Sequence, residues 1–505
     1  MLRHSIILLS TIIVTAFGCS DSTTGSTQDV GVQADTLELD TSIGDIEQDS
    51  TPSDTNATDA AADTIEDATA EDATVDSNIE DTGTEDTKED AEFTDVLEDV
   101  TNPEDIEEDI AEDIEEDIPT PPFDQAIEIS TGTGYESGEL HAMTVNDFGN
   151  VSVFWRGSAD DGSVDLLVSP SDATVNAFYP PVVVKAGLEN QNVGVGGDML
   201  QNQNTFYIVW RDISDNGGHV ITFRRTTSQD FSGEDITIDS AAVPTALWRP
   251  QLLRSIGGTV CVIWERKNGQ ASDVWLRCSL DDGITWEDSV QVDNIDGQTA
   301  TVSSATFNTA GSLVAAVQVK DGGNQHVMVK VSDDLGVTWT KATTVDGGAI
   351  ENGLVSESLN DTGNLKPSLV HTMTGNLKLA WHKPLAGATA EAYLTSSNDG
   401  LAWTAPVLMP NGKANIGLVR GRGSDLHASS VESILGQGDT LYMSSPDEGE
   451  NWGMSNPIPK SMNSTLIDHR MCANLVEGWL YIAWWESLPG NLLKQKLLLM
   501  TIEST

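Results

Sequence analysis

The sequence predicts an all-β fold, a β-propeller of four-stranded blades preceded by a disordered N-terminal region. Three observations predict it: a short motif recurs four times, pairs of β-patterned runs recur around it, and composition changes sharply along the chain. The 505 residues include 25 Lys and Arg against 80 Asp and Glu, a formal net charge of −55. Such a charge opposes contact with phosphate backbones, so we expect no nucleic-acid partner.

The first nineteen residues have the composition of an export signal. Arg3 and His4 precede a largely apolar run over residues 5–17, which is too short to span a bilayer. The segment Ala16–Cys19 resembles the lipobox of bacterial lipoproteins, whose cysteine becomes diacylated. We therefore expect residues 1–19 to be a lipoprotein signal peptide. An ordinary secretory signal with an incidental cysteine is the alternative.

Acidic residues dominate the next hundred positions. Between Ser20 and Gln125 there are 37 Asp or Glu, one Lys and no Trp, whereas all 13 Trp lie beyond Gln125. Such a segment cannot bury enough apolar surface to offset its chain entropy. We expect residues 20–122 to be a disordered stalk, on the order of 60 Å from end to end. With Cys19 lipidated, the protein would contact a membrane only through its lipid, at the outer membrane or outside the cell.

Four near-copies of one motif lie in the remaining chain, with Ser first, Asp or Asn third, Gly fifth and Trp eighth. They occupy residues 279–286 (SLDDGITW), 332–339 (SDDLGVTW), 396–403 (SSNDGLAW) and 445–452 (SPDEGENW). The third side chain can accept backbone N–H groups of a tight turn, and Gly permits positive φ. The copies resemble the Asp box of the sialidase-type BNR repeat. The resemblance implies a propeller over residues 123–505, in which these turns are architectural.

Before each copy lie two short runs rich in β-branched and aromatic residues, separated by a polar loop that contains Gly. Further pairs without a good motif bring the expected number of blades to seven, and residues 125–130 could supply the outer strand of the last one. Six blades is the alternative, because the unit at residues 424–458 looks one strand short. The expected inner strands begin, roughly 55 residues apart, near Leu140, Val193, Pro250, Val302, Pro367, Leu426 and Arg470.

Cysteine usage is sparse. If the third blade's central hairpin turns near residues 268–270, Cys261 and Cys278 lie opposite each other on adjacent strands, at a distance that a disulfide can bridge. Two buried thiols are the alternative. Cys472 would remain unpaired in the innermost strand of the last blade.

In BNR propellers the motif turns lie opposite the ligand site, so the resemblance implies that the loop after each second strand lies on the functional face. Five times, this loop opens with Trp beside a polar residue. Guanidinium groups bind carboxylates in two-pronged fashion, and indoles can stack on sugar rings. The alternative is that the Trp wedge between blades and the charges are solvated. The candidate ligand-binding residues are Trp155, Arg211, Glu265, Arg266, His382 and Glu486.

Residues 139–169 resemble the opening blade of sialidases. Carried over by position, the resemblance implies that Arg156 binds a carboxylate and that Asp160 or Asp161 donates a proton. The family's Phe/Tyr-Arg-Ile-Pro motif places its own arginine on Leu140 of this chain. One arginine of the carboxylate clamp is therefore missing.

Sialidases also use a Tyr nucleophile that a Glu activates, an exception among glycosidases. By position, Tyr442 or Tyr481 would be the nucleophile, although neither lies in a recognisable motif. The remaining candidates are Glu351, Glu357 or Glu265 as the activating acid and Arg254, Arg420 and Arg422 as further arginines.

Two functions follow from these patterns. The first is a surface-anchored propeller that binds a glycan or protein ligand without catalysis, and the alternative is an exo-α-sialidase-type glycoside hydrolase. We expect no metal or other cofactor, because the eight His are scattered and no Cys-x-x-Cys pair occurs. We also expect a monomer.

Overall fold

The computed structural model describes residues 126–503, with gaps at 160, 189–195, 215, 270, 293–298, 322–323, 345–358, 361–366, 386–388, 433–437, 462–463, 465 and 489–490. The expected signal peptide, Cys19 and the acidic stalk lie outside the described residues. In the described part of the chain, seven antiparallel sheets follow one another, six with four strands and one with a short fifth strand, so the propeller has seven blades. This part contains no helix, and hence none long and apolar enough to cross a membrane.

The first strand, β1 (Ile127–Glu128), belongs to the last blade, and each of blades 1 to 4 then takes four consecutive strands. Blade 1 contains β2 (Tyr135–Val145), β3 (Val151–Ala159), β4 (Val164–Pro170) and β5 (Val182–Lys185). Blade 2 contains β6 (Gly197–Asn202), β7 (Thr205–Ile213), β8 (His219–Thr226) and β9 (Asp235–Ala241). Blade 3 contains β10 (Thr245–Arg254), β11 (Val260–Asn268), β12 (Ala271–Ser279) and β13 (Val290–Gln291). Blade 4 contains β14 (Thr299–Phe307), β15 (Leu313–Asp321), β16 (Asn324–Ser332) and β17 (Thr340–Lys341).

Short additional strands accompany the second half of the ring. Strand β18 (Thr343–Thr344) pairs in parallel with β23 (Ala402–Trp403), and β19 (Leu359–Asn360) pairs with the start of β16. Blade 5 contains β20 (Ser368–His371), β21 (Leu377–Pro384), β22 (Ala390–Ser397) and β24 (Val407–Leu408). Blade 6 contains β25 (Ala414–Arg420), β26 (Leu426–Val431), β27 (Thr440–Ser445) and β28 (Asn456–Pro457). Blade 7 contains β29 (Leu466–Asn474), β30 (Trp479–Leu488) and β31 (Asn491–Glu503), completed by β1.

The sixth blade corrects the expected position of an inner strand. The sequence placed it at Leu426, which instead begins the second strand, while the inner strand is Ala414–Arg420. Its pairing with β26 shifts register between Ala414 and Gly417. The irregularity and the glycine weaken the β pattern there, so the unit looked one strand short.

Seven hydrophobic clusters hold the ring together, and each contains residues from two adjacent blades. At the closure, Trp155 of blade 1 contacts Trp485 of blade 7 edge-on, with ring centroids 5.6 Å apart. Burying one large apolar side chain contributes about 1.5–3 kcal/mol. No blade can cover its two faces without its neighbours, as the repeated apolar runs predicted.

The four motif turns share one hydrogen-bond pattern. In blade 3, Ser279 Oγ accepts from Gly283 N at 2.8 Å, and Asp281 accepts from Thr285 N at 2.7 Å. Gly283 has a φ of 89°, which explains the glycine. In blade 5 the serine and the carboxylate are Ser397 and Asp399, one residue after the expected positions, because this turn is one residue shorter.

The tryptophan that ends each motif packs into the cluster between its own blade and the preceding blade. This position is filled by Trp286, Trp339, Trp403 and Trp452.

The strands β11 and β12 place Cys261 directly opposite Cys278, and a disulfide joins them. Among the described cysteines, Cys472 is the one without a disulfide, and it lies in the innermost strand of blade 7.

Buried polar groups connect the inner strands near the axis. Arg470 Nε of blade 7 donates to the carbonyl oxygen of His141 in blade 1 at 3.0 Å. Asp198 of blade 2 accepts from Leu252 N of blade 3 at 2.8 Å. Burial beside Arg470 and Arg156 lowers the pKa of His141 to about 3, so this imidazole is neutral in the folded protein.

Closure of the ring depends on the segment that follows β1. Ile129 N donates to Leu497 O at 2.8 Å, and the side chain of Ile129 is buried between blades 7 and 1. We expect Ile129→Ala to lower the free energy of unfolding by about 2–5 kcal/mol in urea titration, since it opens a cavity at the closing interface. The exposed neighbour is the control: Glu128→Ala should change the free energy of unfolding by less than about 0.5 kcal/mol. Equal effects of the two substitutions would contradict this role.

Acid should destabilise the fold through His141. Its folded pKa lies below the ordinary value of 6.5, so the unfolded chain binds the proton first, and stability is lost as pH falls from 6.5 toward 3. The free energy of unfolding should fall between about pH 7 and about pH 4.5. We expect this fall to be smaller in His141→Leu than in the unsubstituted protein, by on the order of 2 kcal/mol. Denaturant titrations at the two pH values measure this difference, and parallel losses would refute it.

Candidate functional site

Strand direction defines two ends of the propeller. The inner strands begin at the end that also carries the loops between second and third strands, which we call the loop face. The motif turns lie at the opposite end, which we call the turn face, together with the turns between first and second strands. The sequence candidates can therefore be assigned to one end or the other.

The tryptophans that open the loops are buried wedges rather than exposed platforms. Trp155 is fully buried, and its indole N–H donates to Ser169 Oγ at 2.9 Å. Trp264 donates in the same way to Asp239 Oδ2 at 2.9 Å. The other three are also buried within inter-blade clusters: Trp210, Trp381 and Trp485.

Two of the acidic candidates are buried and hydrogen-bonded near the loop face. Glu486 is fully buried, accepts from Ser461 N at 3.0 Å and pairs with Lys496 Nζ at 3.1 Å. Glu265 is buried and accepts from Ser272 Oγ at 2.6 Å. These contacts fix the backbone of blades 7 and 3 near the loop face.

The candidates His382 and Arg266 also contact neighbouring blades. His382 is buried, and its Nδ1 accepts from Asn415 N of blade 6 at 3.2 Å. Arg266 Nη2 lies 2.6 Å from Asp239 of blade 2, and its guanidinium covers the ring of Trp275. Both side chains therefore stabilise the junctions between blades.

Arg211 differs from these residues. Its side chain is 1% exposed, and its guanidinium carbon lies 4.2 Å from the ring centroid of Trp248. No acceptor among the described residues reaches any of its three guanidinium nitrogens. Burial lowers the pKa of Arg211 to about 10, opposed by the nearby carboxylate of Glu139, so the side chain is still charged at neutral pH. Buried charged donors without partners are rare and costly, and they call for an explanation.

A backbone irregularity in β10 adjoins Trp248, the residue on which Arg211 stacks. The pairing of β10 with β11 skips from Trp248 to Gln251, and Arg249 in this bulge has a φ of 49°. Gly196 packs against this backbone, since a Cβ there would lie 3.2 Å from Arg249 N. Left-handed non-glycine residues often mark functional positions.

The bulge leaves Arg249 exposed and Trp248 partly exposed on the loop face. Arg249 Nη1 lies 3.8 Å from Glu265 Oε2. Neither residue was among the candidates predicted from the sequence, since the bulge and the positive φ have no distinct residue signature. Their only signal was Trp beside Arg at the start of an inner strand.

Arg156 completes a group of three guanidinium groups on neighbouring blades. It lies opposite Glu139 in the sheet, with Nη1 and Oε2 3.9 Å apart, and its side chain is 16% exposed. We call Arg156, Arg211, Arg249 and Trp248 the arginine cluster. Arg156 Nε and Trp248 Nε1 are also buried without a partner among the described residues. The cluster therefore presents N–H donors and positive charge at the loop face of blades 1 to 3.

The sialidase-type candidates lie in different places. Asp161 is an exposed turn residue whose carboxylate accepts from Ser163 N at 2.9 Å, and the Ser163 hydrogen bonds lower its pKa. A general acid needs a raised pKa. Tyr442 is buried between blades 6 and 7, with its hydroxyl 3.0 Å from His427 Nδ1, and burial raises its pKa to about 12.

The other candidates do not join them on the loop face. Tyr481 lies near the start of β30, toward the turn face. Arg254 and Arg420 end inner strands at the turn face, where Arg254 pairs with Asp282 at 3.1 Å, and Arg422 lies in the adjoining turn. Three candidates fall outside the described residues: Asp160, Glu351 and Glu357. Within the described ranges no three His, Cys, Asp or Glu are grouped so that they could hold a metal ion.

Comparison with solved structures reveals fold similarity at low identity. The polysaccharide lyase Uly1 has a TM-score of 0.51 and 11% identity, over 76% of this chain and 100% of that chain. The Hadza microbial sialidase Hz136 gives 0.43 and 16%, over 70% of this chain and 73% of its own. The intramolecular trans-sialidase from Ruminococcus gnavus gives 0.41 and 10%, over 75% and 96%. These similarities concern the fold alone.

Sequence comparison agrees with the repeat found along the chain. No curated protein sequence matches this chain. The model of the BNR repeat-like domain matches residues 204–456, which is half of the chain and includes all four motif turns. The chain therefore belongs to the BNR repeat-like domain family.

Proposed function

We propose that the propeller binds an acidic saccharide at the arginine cluster, without catalysis. The observation that carries this proposal is the Arg211 guanidinium, which is buried and charged yet has no hydrogen-bond acceptor among the described residues. An anionic ligand above the cluster would compensate this charge.

The charges support an anionic ligand. The cluster contributes three guanidinium groups, and the nearby acids are Glu139, Glu265 and Asp212, of which Asp212 lies 3.8 Å from the ammonium group of Lys185. A local excess of positive charge contrasts with a chain of net charge −55. Arg249 and Arg156 are exposed enough to contact a carboxylate or sulfate directly. Arg211 is buried and stacks on Trp248, so it fixes the orientation of the indole and adds to the positive potential.

The neighbouring groups support a saccharide. Trp248 is partly exposed and stacked on Arg211, so its orientation is fixed before a ligand arrives. An indole offers an apolar face to a sugar ring, and preorganisation reduces the entropy lost on binding. The partly exposed Glu139 can accept hydrogen bonds from sugar hydroxyls.

Two placements support binding over hydrolysis. Tyr442 lies in the core between blades 6 and 7, and its raised pKa makes it a weak nucleophile. The pKa of Asp161 is shifted in the direction opposite to that of a general acid.

Titration calorimetry with sialyllactose, a uronate oligosaccharide and a sulfated oligosaccharide tests the proposal. At least one acidic saccharide should bind, more weakly as salt is added, and neutral lactose should not compete with it. We expect Arg249→Gln to weaken binding at least about 10-fold, since a charge-assisted contact is lost. The matched control is Arg422→Gln, which removes an exposed guanidinium on the turn face and should leave affinity unchanged.

Two results would count against this function. If no acidic saccharide binds, or if Arg249→Gln and Arg422→Gln have the same effect, the arginine cluster is not the site. Release of sialic acid from a fluorogenic glycoside, abolished by Asp161→Ala, would instead establish the exo-α-sialidase alternative.

We further propose that Cys19 anchors the protein to the cell surface through a lipid, with residues 20–122 as a spacer. The support is the lipobox-like segment and the acidic composition that follows it. In a bacterial host fed labelled palmitate, the unsubstituted chain should incorporate label and Cys19→Ala should not. Cys472→Ala is the control and should retain the label. Labelling of Cys19→Ala, or no labelling of the unsubstituted chain, would refute the anchor.

A further inference from the structure

A groove of about 630 Å³ lies on the turn face between blades 7 and 1, far from the arginine cluster. Blade 1 contributes the turn between its third and fourth strands, and blade 7 contributes the start of β30 and the end of β31. The side chains relevant to its chemistry are Thr174, Asn176, Glu477, Trp479, Tyr481 and Thr501.

The groove arises where the repeat departs from its own pattern. In blades 3 to 6 the motif tryptophan fills the space between its blade and the preceding blade. The corresponding turn of blade 1, residues 169–178, has no tryptophan. Val175 is buried there and Phe178 is partly buried against the same cluster. These smaller side chains leave the groove open.

The blade 1 turn holds its polar side chains in position. Asp172 Oδ1 accepts from Thr174 N and Asn176 N, both at 3.1 Å. Val175 between them has a φ of 53° and points into the core. Thr174 and Asn176 are consequently exposed beside the groove.

The blade 7 wall is equally constrained. Asn474 Nδ2 donates to Glu477 Oε2 at 3.1 Å, and Gly149 of blade 1 packs against the same carboxylate. Trp479 is partly buried against the closing cluster. A fixed indole thus stands opposite a hydroxyl and an amide across a concave surface.

We propose that this groove is a second binding site, which takes a neutral saccharide. Indole, phenol, hydroxyl, amide and carboxylate groups together provide a stacking surface and both donors and acceptors for sugar hydroxyls. The described residues that line the groove include no Lys or Arg and one carboxylate, Glu477, so it disfavours the acidic ligand of the loop face. The two sites lie at opposite ends of the propeller and differ in ligand charge.

Calorimetry of the full chain with cellohexaose, mannohexaose, xylohexaose and laminarihexaose tests the inference. At least one should bind. Asn176→Ala removes the side-chain amide and should weaken that binding about 2-fold to 10-fold, while the backbone N–H of residue 176 still supports the turn. Trp479→Ala should weaken it further. Ala173→Trp should block binding, because Ala173 lines the groove and the larger indole would fill it.

Folding and the other site provide the controls. Thermal unfolding identifies any variant that has lost its fold, and the exposed Asn176 keeps the test decisive if Trp479→Ala unfolds. Arg249→Gln should leave neutral-saccharide binding unchanged, which separates this site from the arginine cluster. The inference is overturned if none of the four oligosaccharides binds, or if binding persists unchanged in Asn176→Ala and Ala173→Trp.

Discussion

The whole fold depends on apolar packing between neighbouring blades. The central strands of each sheet are buried on both faces, and every hydrophobic cluster is shared by two blades. A single sheet would expose these faces to water, so a blade is stable only within the closed ring. The last interface is completed by a strand of two residues, β1, and by Ile129 beside it. Stability and closure therefore depend on the same contacts.

This packing also determines where the chain can carry chemistry. Successive side chains of a strand point to opposite faces. Because Trp210 is buried between blades 1 and 2, Arg211 points toward blade 3, where it meets Trp248. Trp210, which stabilises the interface between blades 1 and 2, thus places the guanidinium of Arg211 at the interface between blades 2 and 3. The same alternation explains why Trp155 is core while Arg156 approaches Glu139 at the loop face.

Repeated features were predictable and single departures were not. The motif spacing and the paired apolar runs predicted four-stranded blades, a ring closed from the N-terminal side and the pairing of Cys261 with Cys278. The inner strand of blade 6 was misplaced, since a bulge, Asn415 and Gly417 together interrupt the alternation of a strand of only seven residues. Arg249 was missed because its bulge packs against Gly196, 53 residues earlier in the sequence, and no local pattern reports such a contact.

Both proposed binding sites lie where a blade departs from the repeat. A residue that recurs in every blade is explained by the blade itself, as the turn hydrogen bonds of Asp281 and Asp447 illustrate. One-residue bulges recur in the inner strands of blades 1, 3, 4, 6 and 7, so the bulge belongs to the repeat, whereas the exposed Arg249 that blade 3 places in it does not. A turn that lacks its tryptophan likewise leaves space between blades 7 and 1. The turn departs from the pattern of blades 3 to 6, and both positions present polar side chains beside an indole. In a protein stabilised by repetition, such exceptions are the positions at which the proposed ligand binding would account for what packing does not.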